Sequence, residues 1–205
     1  FALYNVADRQ TFKNCKLIGY QDTHYLKKGR RYYFYKTYIE GAVDYICAGG
    51  TTLFDSCTLH TIRDGGYLTA PEDITSYTTV GSTKYYYGFI FRNCTLTSPA
   101  GTSYYLGRPW QGTSSSVFIN CSMTNVKNAG WYTSGNSTTD QSTFFAEYNS
   151  KDENGSLINT ASRVPWSFQL AKDTVEKYYT TDKTFSFIST TYNPVSLIQS
   201  PETPK

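Results

Sequence analysis

Large apolar residues alternate with polar ones in short runs that recur along the chain. Phe12-Lys-Asn-Cys15-Lys-Leu17, Phe54-Asp-Ser-Cys57-Thr-Leu59, Phe91-Arg-Asn-Cys94-Thr-Leu96 and Phe118-Ile-Asn-Cys121-Ser-Met123 share one pattern. Phe34-Tyr-Lys-Thr37-Tyr-Ile39 keeps it with Thr in the Cys position. Successive phenylalanines lie 22, 20, 37 and 27 residues apart, and a weaker copy begins at Phe145, a further 27 on. Period two within each copy reads as a strand with one face turned inward. A unit of this size cannot bury that face alone, so the repeat points to a solenoid. The gaps hold Gly, Pro, Ser and Thr without a sustained 3.6-residue period, which disfavours leucine-rich and helical solenoids. What remains is an all-β parallel β-helix whose coils stack ~4.8 Å apart. The long intervals, residues 60–90 and 97–117, are expected to be coils with protruding loops.

The end of the chain breaks the pattern. Ser167 to Thr180 reads as the single plausible helix, with Leu170, Val175 and Tyr178 on one face and Pro165 just ahead. Its expected role is to cover the side or end of the solenoid, since an open coil end invites pairing with another chain. Pro194 to Lys205 holds three prolines and reads as an extended strap or a frayed end. Residues 1–205 are thus expected to form one β-helix domain, with coils and site loops over 1–150 and a covering helix and tail over 151–205.

Composition agrees with this picture and narrows the partners. The 205 residues include 20 Tyr, 12 Phe and 3 Trp, and rings suit a pleated surface. Net charge is only +3, too mild to argue for nucleic acid. The one basic run, Lys27-Lys28-Gly29-Arg30-Arg31, reads as a solvated loop. No run of 18 apolar residues predicts a spanning helix, so no membrane partner is expected. The patterned segment opens at Phe1 without a signal-peptide pattern, as expected of a mature secreted chain or an excised piece. Five cysteines form no CxxC pair and there are two histidines, so no metal site is indicated. Stacked on successive coils, four of those cysteines would face inward as small apolar fillers. Cys15 and Cys57 are two coils apart, ~9–10 Å, too far for a disulfide. Cys57–Cys94 and Cys94–Cys121 are adjacent, and buried thiols are favoured over a bridge there.

The repeat also aligns carboxylates. The 22-residue offset between Phe12 and Phe34 maps Gly19-Tyr-Gln21-Asp22 onto Gly41-Ala-Val43-Asp44, placing the two aspartates about one strand spacing apart. Two carboxylates that close do not both ionise easily, which separates a charged nucleophile from a protonated acid. Solenoids also stack like residues, and an Asp at a turn often only caps backbone N–H groups. Asp64, in register with Asp22 by a 42-residue offset, is the candidate for that plainer role. Geometry alone leaves both uses of the Asp22/Asp44 pair open, and it does not separate ester from glycoside hydrolysis.

Gly19-Tyr-Gln21-Asp22-Thr, Gly41-Ala-Val43-Asp44-Tyr-Ile and Leu106-Gly-Arg108-Pro-Trp110 resemble, in order, the three signature blocks of the pectin methylesterases. Gly130-Trp131, Phe144 to Asn149 and Ser162 to Trp166 are weaker matches, so the resemblance runs from Phe1 to about Phe185. It implies a right-handed parallel β-helix that hydrolyses methyl esters of homogalacturonan through an acyl-aspartate, without metal or cofactor. Asp44 would be the nucleophile, Asp22 the general acid and then base, and Gln21 an oxyanion donor. Arg108 would hold Asp44 and keep it ionised. Tyr25, Val43, Trp110 and Trp131 would contact the sugars. The implied setting is outside the cytoplasm, as a monomer acting on pectin.

Departures from the family pattern are local except one. Cys47 stands where the family places an aromatic, and the loop from His24 to Arg31 is one residue longer than in many members. Thr37 excludes a disulfide that some members form with the position of Cys57. A second oxyanion glutamine of the family would fall two residues before Phe1, so the chain is expected to be the later part of a longer domain, and its activity by itself stays open. Two rivals remain: a polygalacturonase-type glycosidase using the same carboxylates, and a non-catalytic pectin-binding β-helix.

Overall fold

The computed structural model describes residues 1–133, 143–186 and 191–199. The chain winds as coils of three short strands. The first coil is β1 (Leu3–Asn5), β2 (Gln10–Lys13) and β3 (Lys16–Ile18); the second is β4 (His24–Leu26), β5 (Arg31–Tyr35) and β6 (Tyr38–Gly41). The third is β7 (Val43–Ala48), β8 (Thr51–Asp55) and β9 (Thr58–Thr61). In the fourth, β10 (Tyr67–Pro71) leads into a hairpin of β11 (Tyr77–Val80) and β12 (Thr83–Tyr86) before β13 (Phe89–Arg92) and β14 (Thr95–Thr97). The fifth is β15 (Tyr105–Gly107), β16 (Ser115–Ile119) and β17 (Ser122–Met123), followed by β18 (Phe144–Tyr148) and β19 (Phe168–Gln169). Like strands pair in parallel from coil to coil, giving sheets β1-β4-β7-β10-β15, β2-β5-β8-β13-β16-β18-β19 and β3-β6-β9-β14-β17. This is the parallel β-helix expected from the repeat.

The register explains the repeated motif residue by residue. Phe12, Phe34, Phe54, Phe91 and Phe118 pair in one row, their rings stacked with centroids 4.6, 5.3, 4.8 and 4.4 Å apart. Each fully buried ring contributes about 2–3 kcal/mol of transfer free energy. Two residues on, Asn14, Lys36, Ser56, Asn93, Asn120 and Asn149 all adopt φ between 50° and 56°. That left-handed corner turns the chain from the second sheet into the third, and asparagine tolerates it better than other L-residues. Next in each copy comes the cysteine row, where Cys57, Cys94 and Cys121 are buried and all five cysteines are free thiols.

Four expectations need correction. The weak sixth copy does not start at Phe145: Phe118 pairs with Glu147, and Phe145 with Ser116. Glu147 takes the phenylalanine position and is neutralised by Arg163, Nε to Oε1 at 2.8 Å, with Ser150 donating to Oε2 at 2.9 Å. Pattern counting misses this because Phe145 imitates the motif while loop length sets the register. The proposed helix over Ser167–Thr180 is also too long. Phe168–Gln169 is strand β19, paired with Ala146 and Glu147, Ala171 is extended, and the helix spans only Lys172–Tyr178. Two more short helices follow, Thr181–Phe185 and Pro194–Gln199, so the start of the supposed strap is helical and residues 200–205 lie outside the described residues. Finally, the basic run is not wholly solvated. Arg31 is fully buried, with its guanidinium on Asp8 at 2.6 Å, and Lys28 pairs with Asp73 at 2.6 Å.

The C-terminal segment does cover the side of the solenoid. Tyr179, Phe185 and Tyr192 pack with Tyr33, Leu53, Ile90 and Val117 on the outer face of the second sheet. That sheet is therefore buried on both faces, and β8 and β16 read as continuous buried runs. The sheet containing β7 keeps one face open, and the site lies there.

Candidate active site

The open sheet gathers residues from four coils. Gln21 bridges to Val43, and the Asp22 amide donates to the Val43 carbonyl at 3.1 Å. Beyond them His24 pairs with Ile46, so the 22-residue offset holds on both sides of the aspartates and sets Asp22 level with Asp44. Both adopt left-handed backbone, φ 51° and 52°. A bulge accompanies Asp44: Val43 and Ile46 pair with Tyr67 and Thr69, so β7 carries one residue more than β10. Bulges of this kind re-aim a side chain, and here Tyr45 and Ile46 are both fully buried while Asp44 turns to the cleft. The tight packing beneath needs Gly41, because a Cβ there would lie 2.2 Å from Tyr45 Cβ.

Arg108 clamps Asp44 with two hydrogen bonds, Nε to Oδ1 at 2.8 Å and Nη2 to Oδ2 at 2.6 Å. Its own position is fixed from both sides. The Arg108 amide donates to Thr69 O at 2.9 Å, and the guanidinium lies 4.5 Å from the Trp110 ring centroid and 5.5 Å from that of Tyr67. Such a planar, charge-assisted fork is stronger than a neutral pair and orients the carboxylate as well as neutralising it. Asp44 is 5% exposed, so the pair is largely withdrawn from water. The hydrogen bonds to Asp44, reinforced by its charge, hold the Arg108 guanidinium above its ordinary value.

Asp22 differs from its twin in every respect except backbone. Among the described residues its carboxyl has no hydrogen-bond or ion-pair partner. Burial, and then the Asp44 charge beside it, push its pKa above the usual carboxylate value. An unclamped carboxyl with a raised pKa thus stands on the coil next to one held by arginine, the arrangement that divides acid from nucleophile.

Gln21, Asp22, Tyr25, Asp44, Arg108 and Trp110 line one cavity of about 230 Å³ together with Phe1, Cys47, Ala48, Ala70 and Glu72. The structure thus brings together six of the eight residues expected at the site. Val43 is half-buried between Gln21 and Tyr67 and does not line the cavity. Trp131 needs correction as a sugar contact. It bridges to Gly107 in the row of His24, Ile46 and Thr69, is fully buried, and packs on Phe145 and Phe118 with centroids 4.6 and 5.7 Å away. The next residue, Tyr132, is the one that faces out, 4.9 Å from Tyr67. Tyr132, Tyr67, Tyr4 and Glu72 were not singled out from sequence; counting from the Tyr25–Cys47–Ala70 row would have found Tyr4. Asp64 has the plainer role: it is exposed and accepts from Ser103 N and Oγ at 3.0 and 3.1 Å. Among the described residues no group of three His, Cys, Asp or Glu could hold a metal ion, and no helix is long and apolar enough to cross a membrane.

Fold and site together define a parallel β-helix carrying an arginine-clamped acidic cleft. The Pectinesterase family model matches residues 1–189, and the chain belongs to the pectinesterase family. It is similar to Pectinesterase 31 of Arabidopsis thaliana, 34% identical over 174 residues, 84% of this chain and 51% of that protein. Among solved structures, pectin methylesterase from carrot superposes with a TM-score of 0.75 over 97% of this chain and 61% of that one; at 22% identity this likeness speaks for the fold. A pectin methylesterase crystallised with a hexasaccharide is 27% identical with a TM-score of 0.66, covering 91% of this chain and 59% of its own. The chain spans about half the length of the curated relatives it matches.

Proposed function

We propose that the cleft hydrolyses methyl esters of homogalacturonan, releasing methanol and pectate. The observation that carries this reading is the bidentate Arg108–Asp44 pair set level with an Asp22 that has no such partner among the described residues. An Asp44 oxygen attacks the ester carbonyl carbon, and its other lone pairs remain on Arg108. The oxyanion that forms is met by the Gln21 side-chain amide, a contribution of about 3–4 kcal/mol for one such donor. As the C–O bond to the methoxy group breaks, protonated Asp22 delivers its proton and methanol leaves. The resulting Asp22 carboxylate then takes a proton from water, whose oxygen attacks the acyl carbon of the anhydride. Cleavage of that anhydride returns the Asp44 carboxylate and leaves a free galacturonate.

These steps use side chains alone, without metal or cofactor. Trp110 and Tyr25, flat and partly exposed beside the acids, suit the apolar faces of sugar rings. The mild positive charge suits a polymer that grows more acidic as it is processed. The hexasaccharide complex of a relative supports the same substrate class. The reading places the protein outside the cytoplasm as a monomer, with neither nucleic acid nor membrane as partner. Incubation with highly methyl-esterified pectin tests it: methanol should appear with chain length unchanged. New reducing ends would favour a glycosidase, and binding without methanol a lectin-like role.

A further inference from the structure

Glu72 lines the same cavity as Asp22, Asp44 and Arg108, and the reaction just described gives it no task. Its place is fixed by the sheet: Pro71 pairs with Ala48, and the Glu72 amide donates to Ala48 O at 3.0 Å. Its Cγ packs at Gly49, 3.0 Å from where a Cβ would be, beside the Cβ and Cγ of Lys28 at 3.1 and 3.3 Å. That lysine does not neutralise it, because its ammonium sits on Asp73 at 2.6 Å. Among the described residues the Glu72 carboxylate has no ion pair or hydrogen bond. Its charge reaches the cleft wall: after burial, it is among the causes that raise the Tyr25 phenol and push the Cys47 thiol up to about 12. The cavity thus holds three carboxyls, its one guanidinium is committed to Asp44, and the only other cationic group among its lining residues is the Phe1 ammonium, which acts on Asp22 and Cys47.

We propose that Glu72 is a specificity-determining residue: it turns away a free carboxylate, and admits a methyl ester, on the sugar bordering Tyr25 and Cys47. The inference rests on the pectinesterase reading and says which stretches of polymer that site prefers. A neutral ester feels no repulsion there, whereas a second anion a few ångströms away in partly screened water is disfavoured roughly 4- to 15-fold. De-esterified stretches are therefore poor ligands, and action is directed to fully esterified ones.

The test is calorimetric binding of fully de-esterified tetragalacturonate and of its fully methylated counterpart to the chain and to Glu72→Gln at low salt. The variant should bind the acid form roughly 4- to 15-fold more tightly and the methylated form within about twofold of the original. In the unmodified chain the preference for the methylated form should shrink as salt rises to about 0.5 M, a readout that needs no variant. Unchanged affinity of Glu72→Gln for the acid form, an equal gain for both ligands, or a salt-independent preference would each overturn the inference. Failure of the chain to release methanol would instead count against the esterase reading, since the binding contrast is measured without turnover.

Discussion

Two stacked sets of left-handed residues run up this molecule, and they do opposite work. At the corner between the second and third sheets, Asn14, Lys36, Ser56, Asn93, Asn120 and Asn149 repeat one turn, and Asn149 donates to Asn120 across coils at 2.8 Å. On the open sheet, Asp22 and Asp44 repeat another, at nearly the same φ. Strained backbone at a stacked position therefore does not mark chemistry by itself. What separates the two sets is the company they keep. The corner residues are short or flexible polar side chains at a turn, whereas the aspartates sit in a cavity, one released by a bulge and clamped by arginine, the other unpaired among the described residues. Like charges on adjacent coils cost stability, and the proposed reaction would account for their retention here.

The sharpest way to break the contrast is Asp44→Asn. Methanol release should fall on the order of 10⁴-fold or more, as when other covalent nucleophiles are removed, with polymer binding retained. A loss confined to tenfold would move the nucleophile elsewhere. Arg108→Ala should abolish most activity and also destabilise the fold by about 3 kcal/mol in a denaturant titration, because it strands a nearly buried carboxylate. Arg108→Lys should recover part of that stability while losing the bidentate fork. In the corner set, Asn93→Ala should cost about 1 kcal/mol of stability and leave kcat unchanged, since alanine tolerates the left-handed corner less well.

The smallest effect has a definite sign. The pKa of Asp22 is raised in the folded chain, so its contribution favours folding below the unfolded value, near 3.8, and is withdrawn as pH rises through the folded value. Asp22→Asn should therefore raise Tm at pH 7, by less at pH 3, while removing activity. Thermal melts of both proteins at both pH values check this; a gain in Tm on substitution that is no larger at pH 7 than at pH 3, or a loss at pH 7, would contradict it.

How far the sequence reached depended on whether register could be counted. The Phe-x-x-Cys-x-Leu repeat was legible because it reports inward positions directly, and the 22-residue offset between β2 and β5 carried across to the aspartates because the next pair along the chain, β4 and β7, keeps it. The same counting failed at Phe145, where the chain inserts two more residues than the imitation suggests. The family resemblance missed by one residue at Trp131, where a single step exchanges inside for outside. Arg31 was out of reach for another reason. Its partner Asp8 lies 23 residues away and is brought to it only by coiling. Glu72 had no motif at all, and only the assembled cleft shows that it lines one cavity with the acids.

The claim on which the rest turns is that Asp44 becomes acylated. Acid-quenched turnover of methyl-esterified trigalacturonate, followed by peptide mass spectrometry, addresses it directly. The account predicts a transient adduct on the peptide bearing Asp44, equal in mass to the sugar acid less water and absent in Asp44→Asn. Methanol release at full rate with the adduct on another residue, or with undiminished turnover in Asp44→Asn, would contradict it.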